Sequence, residues 1–150
     1  MPRVMIVEDD LTILSNLSQL LQLSGLDVVE AHDGREALRL LQECREQDVA
    51  LPRMIVSDLM MPNMDGFDLL RAVRGDAQFK VLPFVLLSAR SDASDLQQAF
   101  SLGANDYLIK PFEVEQLMEV IRYHLSRDLG HQKGPLPGKD CTIDTDFFLE

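Results

Sequence analysis

Three acidic side chains stand where two apolar runs of the chain end. Glu8 and Asp9 directly follow residues 4–7, and Asp58 closes a stretch that begins at Met54. Such runs are typical of buried strands, and a carboxylate at a strand end either caps a turn or does chemistry at the mouth of a sheet. If the two strands are neighbours, a pair of carboxylates about 4 Å apart repels by roughly 4 kcal/mol at an effective dielectric constant of 20. A divalent cation would offset this repulsion, and a small site made of oxygen ligands favours Mg²⁺.

A hydroxyl and an ammonium group follow two further apolar runs. Ser88 comes after residues 83–87, and Lys110 comes after residues 107–109. Taken alone, Ser88 is an ordinary strand-end hydroxyl and Lys110 is a solvated charge. Beside a metal-bound carboxylate they complete the set that phosphoryl transfer needs, because that reaction is catalysed mainly by positioning and by charge stabilisation on the transferred oxygens. Asp58 would then be the nucleophile and would form an aspartyl phosphate.

The elements that must position these groups alternate along the chain. The apolar runs occupy residues 4–7, 28–31, 54–56, 83–87 and 107–109. Between them, apolar side chains recur at spacings of three and four, which predicts amphipathic helices. The stripes are Leu14, Leu17 and Leu21; Ala37, Leu38 and Leu41; Phe67, Leu70 and Val73; Leu96, Ala99 and Phe100; and Leu117, Ile121 and Leu125. This alternation predicts an α/β fold with a doubly wound parallel sheet, in which ligands bind at the carboxyl ends of the strands.

Residues that favour helix ends agree with these limits. Aspartates lie near three predicted helix starts, and glycines lie where three helices should stop. They are Asp10, Asp33 and Asp92, and Gly25, Gly75 and Gly103. For Asp10 two interpretations stand side by side, a cap of the following helix and a third acid beside the metal.

Composition excludes several classes of function. The 150 residues carry a formal charge of −11, which repels nucleic acid and predicts no direct nucleic-acid binding by this chain. No apolar stretch approaches the roughly 20 residues of a membrane span, and no signal peptide precedes the first strand, so a cytoplasmic location is expected. Cys44 and Cys141 have neither zinc-type spacing nor a disulfide framework.

The pattern changes near residue 130. Residues 1–129 hold all the periodic segments, whereas residues 130–150 begin with the glycine- and proline-rich "GHQKGPLPGKD", which is typical of a linker. The last ten residues, "CTIDTDFFLE", become apolar again. We expect residues 130–150 to be a linker and tail, either the start of a truncated C-terminal output domain or a remnant of cloning.

Four motifs together make the chain recognisable. "VEDD" (7–10), "SDLMMPNMDG" (57–66), "LLSAR" (86–90) and "GANDYLIKPF" (103–112) closely resemble the receiver domain of two-component response regulators, the CheY-like family, over residues 3 to 127. The resemblance implies a five-stranded sheet in the order 2-1-3-4-5 with helices on both faces. It also implies a signalling phosphoacceptor that catalyses only its own phosphorylation and dephosphorylation, and is not otherwise an enzyme.

The resemblance assigns roles to individual residues. It makes Asp58 the phosphoacceptor and places Mg²⁺ on Glu8, Asp9, Asp58 and the backbone carbonyl of Met60. Ser88 and Lys110 take the positions of the family's hydroxyl residue and lysine, and the Lys110-Pro111 peptide bond is expected to be cis.

Three further positions relate to switching and timing. Tyr107 matches the aromatic switch residue that turns inward as the hydroxyl residue moves towards the phosphate. Met60 and Arg90 occupy the two positions that tune the rate at which phosphate is lost. Neither is a carboxylate or an amide that would orient a water molecule, so a slow loss of phosphate is expected.

The resemblance also implies partners. A sensor histidine kinase or a phosphotransfer protein would supply the phosphoryl group, and the surface of the fourth helix, fifth strand and fifth helix would pass the signal to a partner or form a homodimer. Residues 91–103 contain no Lys or Arg, and Val120 replaces a basic residue that is usual there, which argues against a charged dimer interface. An apolar version would use Phe100, Tyr107 and Leu117.

Other classes of protein fit less well. A dinucleotide-binding protein would carry GxGxxG after the first strand, and "GPLPGKD" has the wrong spacing for a phosphate-binding loop. A phosphatase with an aspartate nucleophile would carry it after the first strand, in a DxDx(T/V) motif that this sequence lacks. The alternative that remains is a receiver fold that works as an interaction module independently of phosphorylation.

Overall fold

The computed structural model describes residues 2–130, and in this part of the chain five strands alternate with five helices. The strands are β1 (Arg3–Val7), β2 (Asp27–Ala31), β3 (Met54–Asp58), β4 (Phe84–Ser88) and β5 (Asp106–Ile109). The helices are α1 (Leu11–Leu23), α2 (Gly34–Glu46), α3 (Gly66–Arg74), α4 (Ala93–Ser101) and α5 (Val114–Gly130). Each predicted strand and helix is present, and the predicted alternation is confirmed.

The strands form one parallel sheet in the order β2-β1-β3-β4-β5, so the predicted fold class and strand order are confirmed. The order reverses at β1, because the chain moves outward from β1 to β2 and then returns to place β3 on the other side of β1. A crevice forms at the carboxyl ends of strands where the order reverses in this way. The site predicted from Glu8, Asp9 and Asp58 therefore lies between β1 and β3.

Helices cover both faces of the sheet. Helices α1 and α5 pack on one face, and α2, α3 and α4 pack on the other, which gives two separate apolar cores. Every residue of β3 and β4 is buried. Because these central strands are covered on both faces, they have continuous apolar runs instead of an alternating pattern.

The helix caps explain part of the acidic sequence. Asp10 accepts hydrogen bonds from the backbone N–H groups of Thr12 and Ile13 at 3.0 and 3.1 Å, so its interpretation as a cap of α1 is correct. Asp33 caps α2 in the same way. Asp92 occupies the cap position of α4 without a side-chain bond, and α3 is capped by Asp65, which the sequence pattern did not indicate.

The glycines predicted to end helices do so by two geometries. Gly25 and Gly103 lie just beyond the caps of α1 and α4 with φ values of +90° and +105°, a conformation that favours glycine. Gly75 is itself the C-cap residue of α3 and has a negative φ.

The predicted stripe on α4 is partly wrong. Ala99 is buried and Leu96 packs against the core, but Phe100 is 48% exposed, because it lies one residue round the short helix from Ala99. The apolar dimer surface is wrong in two of its three members for a related reason. Leu117 is fully buried beneath α5 and Tyr107 is 7% exposed, so of the three only Phe100 offers a large apolar surface to a partner.

The described residues end with α5, which extends to Gly130, one residue beyond the predicted domain boundary. Residues 131–150, which hold most of the predicted linker and tail, lie outside the described residues. Within the described part of the chain, no helix combines the length and apolar character needed to cross a bilayer.

Candidate functional site

The ends of four strands bring the predicted site residues to one edge of the sheet. Asp58 is the last residue of β3 and Ser88 the last residue of β4. The ladder continues one step further, because Lys110 N–H donates to the Ser88 carbonyl at 2.8 Å and Glu8 N–H donates to the Ala31 carbonyl at 3.0 Å. Each functional side chain therefore stands on backbone that the sheet itself holds in place.

Three carboxylates converge between β1 and β3. Glu8, Asp9 and Asp58 each offer a carboxylate oxygen, and these oxygens all lie within 4.8 Å of one another. Glu8 and Asp58 are only 2% and 7% exposed, whereas Asp9 is exposed. A set of hard oxygen ligands that is open to water on one side fits Mg²⁺, which keeps several of its own water molecules.

Lys110 is the cation that the described structure places on this cluster. Its ammonium Nζ lies 2.9 Å from Asp58 Oδ1 and 3.4 Å from Glu8 Oε1. The second oxygen of Glu8 accepts a hydrogen bond from Asp10 N–H at 3.1 Å, so this buried carboxylate is held from two sides. The Lys110–Pro111 peptide bond that follows is cis.

Burial controls the electrostatics of the site. It raises the pKa of Glu8, and the negative charge of Asp58 adds to this effect. Burial likewise raises the pKa of Asp58, although Lys110 opposes the shift. For Lys110, burial alone would lower the pKa, but the hydrogen bond to Asp58 and the charges of Asp58 and Glu8 raise it on balance. The ammonium therefore remains charged at neutral pH, whereas burial makes the charged forms of the two acids less favourable, and a bound cation would reduce that cost.

A chain of hydrogen bonds joins the hydroxyl residue to the aromatic residue. Arg90 N–H donates to Ser88 Oγ at 3.0 Å, and the Tyr107 hydroxyl donates to the Arg90 carbonyl at 2.9 Å. Burial raises the pKa of Tyr107, so this hydroxyl remains protonated and able to donate. Ser88 is 1% exposed, and the Tyr107 ring is buried. The backbone of Arg90 thus connects Ser88, at the end of β4, to Tyr107 on β5.

The loop from β3 to α3 fixes the end of the strand that carries Asp58. Gly66 N–H donates to the Leu59 carbonyl at 2.8 Å and closes this loop at its base. A Cβ atom on Gly66 would lie 2.7 Å from the Asp58 carbonyl oxygen and 2.8 Å from Leu59 Cα, which leaves no room for any side chain. Met60, two residues beyond Asp58 in the chain, is 55% exposed. The role of its carbonyl as a metal ligand stays a prediction.

Two contacts near the site have no counterpart in the sequence predictions. Asn63 in the β3–α3 loop donates to Asp33 at the start of α2, and Gly34 packs directly against Met64. The sequence indicated Asp33 only as a helix start. A polar pair that joins two loops far apart in the chain leaves no periodic signal.

The chain belongs to the response regulator receiver domain family, because residues 4–122 match the model of that family. This family belongs to two-component signalling systems and generally signals rather than acting as ordinary enzymes. The fold and the acidic pocket agree with this membership, since the order 2-1-3-4-5 and the cluster of Glu8, Asp9 and Asp58 are both present.

Individual proteins give the same result. The transcriptional regulatory protein PrrA of Mycobacterium tuberculosis is 40% identical over 126 residues, which are 84% of this chain and 51% of PrrA. The DNA-binding response regulator MtrA of Mycobacterium leprae is 32% identical over 142 residues, 95% of this chain and 59% of MtrA. The chemotaxis response regulator CheY4 of Vibrio cholerae has a similar structure, with a TM-score of 0.74, 35% identity and coverage of 83% of this chain and 98% of CheY4. This chain therefore spans little more than half the length of PrrA and MtrA.

Proposed function

We propose that this domain accepts a phosphoryl group on Asp58 from a sensor histidine kinase, or from a phosphotransfer protein, in an Mg²⁺-dependent phosphorelay. The arrangement of Lys110, Asp58 and Glu8 supports this most strongly. A buried carboxylate at a strand end is paired with an ammonium group at 2.9 Å, and two further carboxylates adjoin it. A group placed only for stability would not combine burial with this concentration of like charge.

Glu8, Asp9, Asp58 and the Met60 carbonyl would hold Mg²⁺. When bound, the ion supplies positive charge that offsets the acidic cluster and the charge on the phosphoryl oxygens. The described residues fit this role, because they present hard oxygen ligands and two of the carboxylates are buried with raised pKa values.

The chain's own groups would carry out the transfer. A carboxylate oxygen of Asp58 attacks phosphorus as the bond to the donor's histidine nitrogen breaks, and the bonding electrons leave with that nitrogen. Lys110 moves its ammonium group from the Asp58 carboxylate to an oxygen of the phosphoryl group, and Ser88 offers its hydroxyl to another. Both groups stabilise charge on the transferred oxygens and neither is consumed.

Phosphorylation would change the surface formed by α4, β5 and α5. When the Ser88 side chain swings towards the phosphoryl group, its oxygen moves away from the Arg90 N–H, and the Arg90 carbonyl that accepts from the Tyr107 hydroxyl must adjust. The phosphate then favours one arrangement of this surface over another by its differential binding to the two. The output is a partner protein or a homodimer on this surface, to which Phe100 contributes exposed apolar area.

We further propose that residues 1–129 are the receiver domain and that residues 130–150 lead into an output domain. The similarity to MtrA covers 95% of this chain, and MtrA is a DNA-binding response regulator. Any DNA binding would reside in such an output domain, because this chain carries a formal charge of −11. A cytoplasmic location follows from the same proposal, since the kinase would present its phosphoryl group there.

Beryllofluoride binding tests the proposal against the alternative of an interaction module that does not depend on phosphorylation. Beryllofluoride coordinates an aspartate as a phosphoryl mimic. Fluorine NMR with Mg²⁺ should show a bound signal for the parent and none for Asp58→Asn. A folded parent that gives no bound signal would favour the interaction module. Turnover of an external phosphomonoester would instead indicate a phosphatase.

A further inference from the structure

The loop between β3 and α3 contains a strained turn at its tip. Asn63 has a φ of +69°, which is uncommon for any residue except glycine, although asparagine tolerates it better than most. Met64 N–H donates to the Pro62 carbonyl at 2.7 Å, so Asn63 is the central residue of a three-residue turn. Turns of this positive-φ kind are rare and strained. Contacts from outside the loop must therefore help to hold this conformation.

The side chain of Asn63 makes one such contact with the start of α2. Its Nδ2 donates to Asp33 Oδ2 at 3.2 Å, while the other carboxylate oxygen of Asp33 accepts from Glu36 N–H at 2.8 Å. These bonds lower the pKa of Asp33, and the bond from Glu36 N–H is the larger cause. One carboxylate therefore caps a helix and holds the tip of the loop at the same time.

The backbone of α2 makes the second contact. A Cβ atom on Gly34 would lie 2.7 Å from Met64 Cγ and 2.9 Å from the Met64 carbonyl oxygen. Real Cβ atoms do not approach other atoms this closely, so only glycine allows the first turn of α2 to meet the loop. Asp33, the cap of α2, thus contacts Asn63, and Gly34, the first residue of α2, contacts Met64.

We propose that Asp33 and Asn63 are positioning residues that set the affinity of the acidic cluster for Mg²⁺. Met60, whose carbonyl is the expected ligand, lies three residues before Asn63 in the same closed loop. The hydrogen bond from Asn63 to Asp33, which we call the tether, fixes the side of the loop opposite Met60. By fixing the loop, the tether also fixes the direction of the Met60 carbonyl. Neither Asp33 nor Asn63 belongs to the acidic cluster that would hold the ion. The inference rests on the proposed Mg²⁺ role, and it adds a control point on α2, outside the residues that bind the ion.

Two single substitutions remove the tether from opposite ends. Asn63→Gly removes the amide donor but accepts a φ of +69° without strain. Asp33→Ser keeps a good helix cap but is too short to reach Asn63. Isothermal titration with MgCl₂ should give Mg²⁺ Kd values about three- to tenfold above the parent value in both variants, the range that one net hydrogen bond represents. The double variant should be no weaker than the weaker single variant, because both changes break the same bond.

Arg45→Gln is the matched control. It breaks an exposed bond from the other end of α2, where Arg45 Nη1 lies 2.9 Å from Asp76 Oδ2, far from the acidic cluster. Its Mg²⁺ Kd should equal the parent value. Amide hydrogen exchange of the metal-free proteins adds an independent readout, since Met64 and Gly66 should exchange faster in Asn63→Gly and Asp33→Ser but not in Arg45→Gln.

The outcomes separate the two proposals. A parent that binds Mg²⁺, with equal Kd values in all variants, would overturn the positioning role and leave the proposed function intact. Equal weakening in Asn63→Gly and Arg45→Gln would also overturn it, because a general loss of stability would then be the cause. A parent that does not bind Mg²⁺ would overturn the proposed function, and the positioning role with it.

Discussion

The ammonium Nζ of Lys110 lies 2.9 Å from Asp58 Oδ1 and 3.4 Å from Glu8 Oε1, so the lysine bridges two buried carboxylates at the ends of the neighbouring strands β3 and β1. Lys110 follows β5 and Asp58 ends β3, with β4 between them. The bridge is therefore a product of the sheet order, and no local pattern in the chain could create it. Because the ammonium already contacts the carboxylate that we propose as the phosphoacceptor, it would lie where negative charge arrives when a phosphoryl group is transferred.

Removal of this ammonium should slow phosphorylation much more than it affects folding. We expect Lys110→Met to reduce the rate of phosphorylation by acetyl phosphate about 100-fold, the usual effect of removing one stabilising group from a transferred charge. Time-resolved intact mass spectrometry measures the rate. Lys80→Met, which removes an exposed lysine between α3 and β4, is the control and should keep the parent rate. A Lys110→Met variant with the parent rate would contradict this role.

The pKa shifts predict how Mg²⁺ binding depends on pH. Burial raises the pKa of Glu8 and Asp58 above their ordinary values of 4.5 and 3.8, so protons compete with the cation at a higher pH than for exposed carboxylates. A carboxyl pKa that is higher in the folded than in the unfolded state also means that these groups destabilise the metal-free protein as pH rises from the ordinary pKa towards and past the raised one. The increase in melting temperature caused by Mg²⁺ should therefore be larger at pH 8 than at pH 5.

Thermal melts with and without MgCl₂ at both pH values measure this difference. Asp58→Asn serves as the control, because it removes one of the two buried charges and should show a smaller Mg²⁺ effect at pH 8. An increase in melting temperature that is the same at both pH values in the parent would contradict the prediction.

Arg74 holds the end of the sheet opposite the site. Its half-buried guanidinium donates to the carbonyl oxygens of Lys80, Leu82 and Gly103 and to Asn105 Oδ1 at 2.7 to 3.0 Å. Burial lowers the pKa of Arg74, but the group remains charged. We expect Arg74→Met to reduce the free energy of unfolding by about 2 to 3 kcal/mol, because several partly buried acceptors lose their donor.

Urea unfolding measures this loss. Arg71→Met is the matched control, because Arg71 pairs with Asp68 on the exposed surface of α3, and its loss should cost less than about 0.5 kcal/mol. Equal losses in the two variants would show that the bonds of Arg74 add nothing beyond those of a surface pair.

The apolar side chain of Met60 leads us to expect slow loss of the phosphoryl group. This exposed side chain, two residues beyond Asp58 in the chain, offers no oxygen or nitrogen to orient an attacking water molecule. The isolated phosphorylated domain with Mg²⁺ should keep its phosphate for minutes rather than seconds. Met60→Asn should shorten this time several-fold by positioning water, whereas Met60→Leu should leave it unchanged. A half-life of seconds in the parent, followed by intact mass, would refute the prediction.

The sequence predicted those parts of the structure that are marked by periodic apolar residues or by residues typical of the ends of strands and helices. The central strands, the helix stripes and the acidic residues at strand ends all follow from burial and chain direction, so the sequence alone predicts Glu8, Asp58 and Lys110 at one edge of the sheet. The order 2-1-3-4-5 came from the family resemblance, because the apolar run of a strand does not indicate which strands will lie next to it in the sheet.

Contacts between distant loops could not be predicted. The bond from Asn63 to Asp33 and the multiple bonds of Arg74 depend on where folded loops meet, and neither has a spacing rule. The exposure of Phe100 was missed for a different reason. On a helix as short as α4, a stripe at spacings of three and four cannot show which of two adjacent apolar residues, Ala99 or Phe100, faces the core.

The most direct test of the central claim is intact mass after incubation with MgCl₂ and acetyl phosphate, for the parent and for Asp58→Asn. The account predicts one added phosphoryl group in the parent, none in Asp58→Asn, and none in the parent when EDTA replaces Mg²⁺. An unmodified parent that is folded, or a phosphoryl group that is still added to Asp58→Asn, would contradict it.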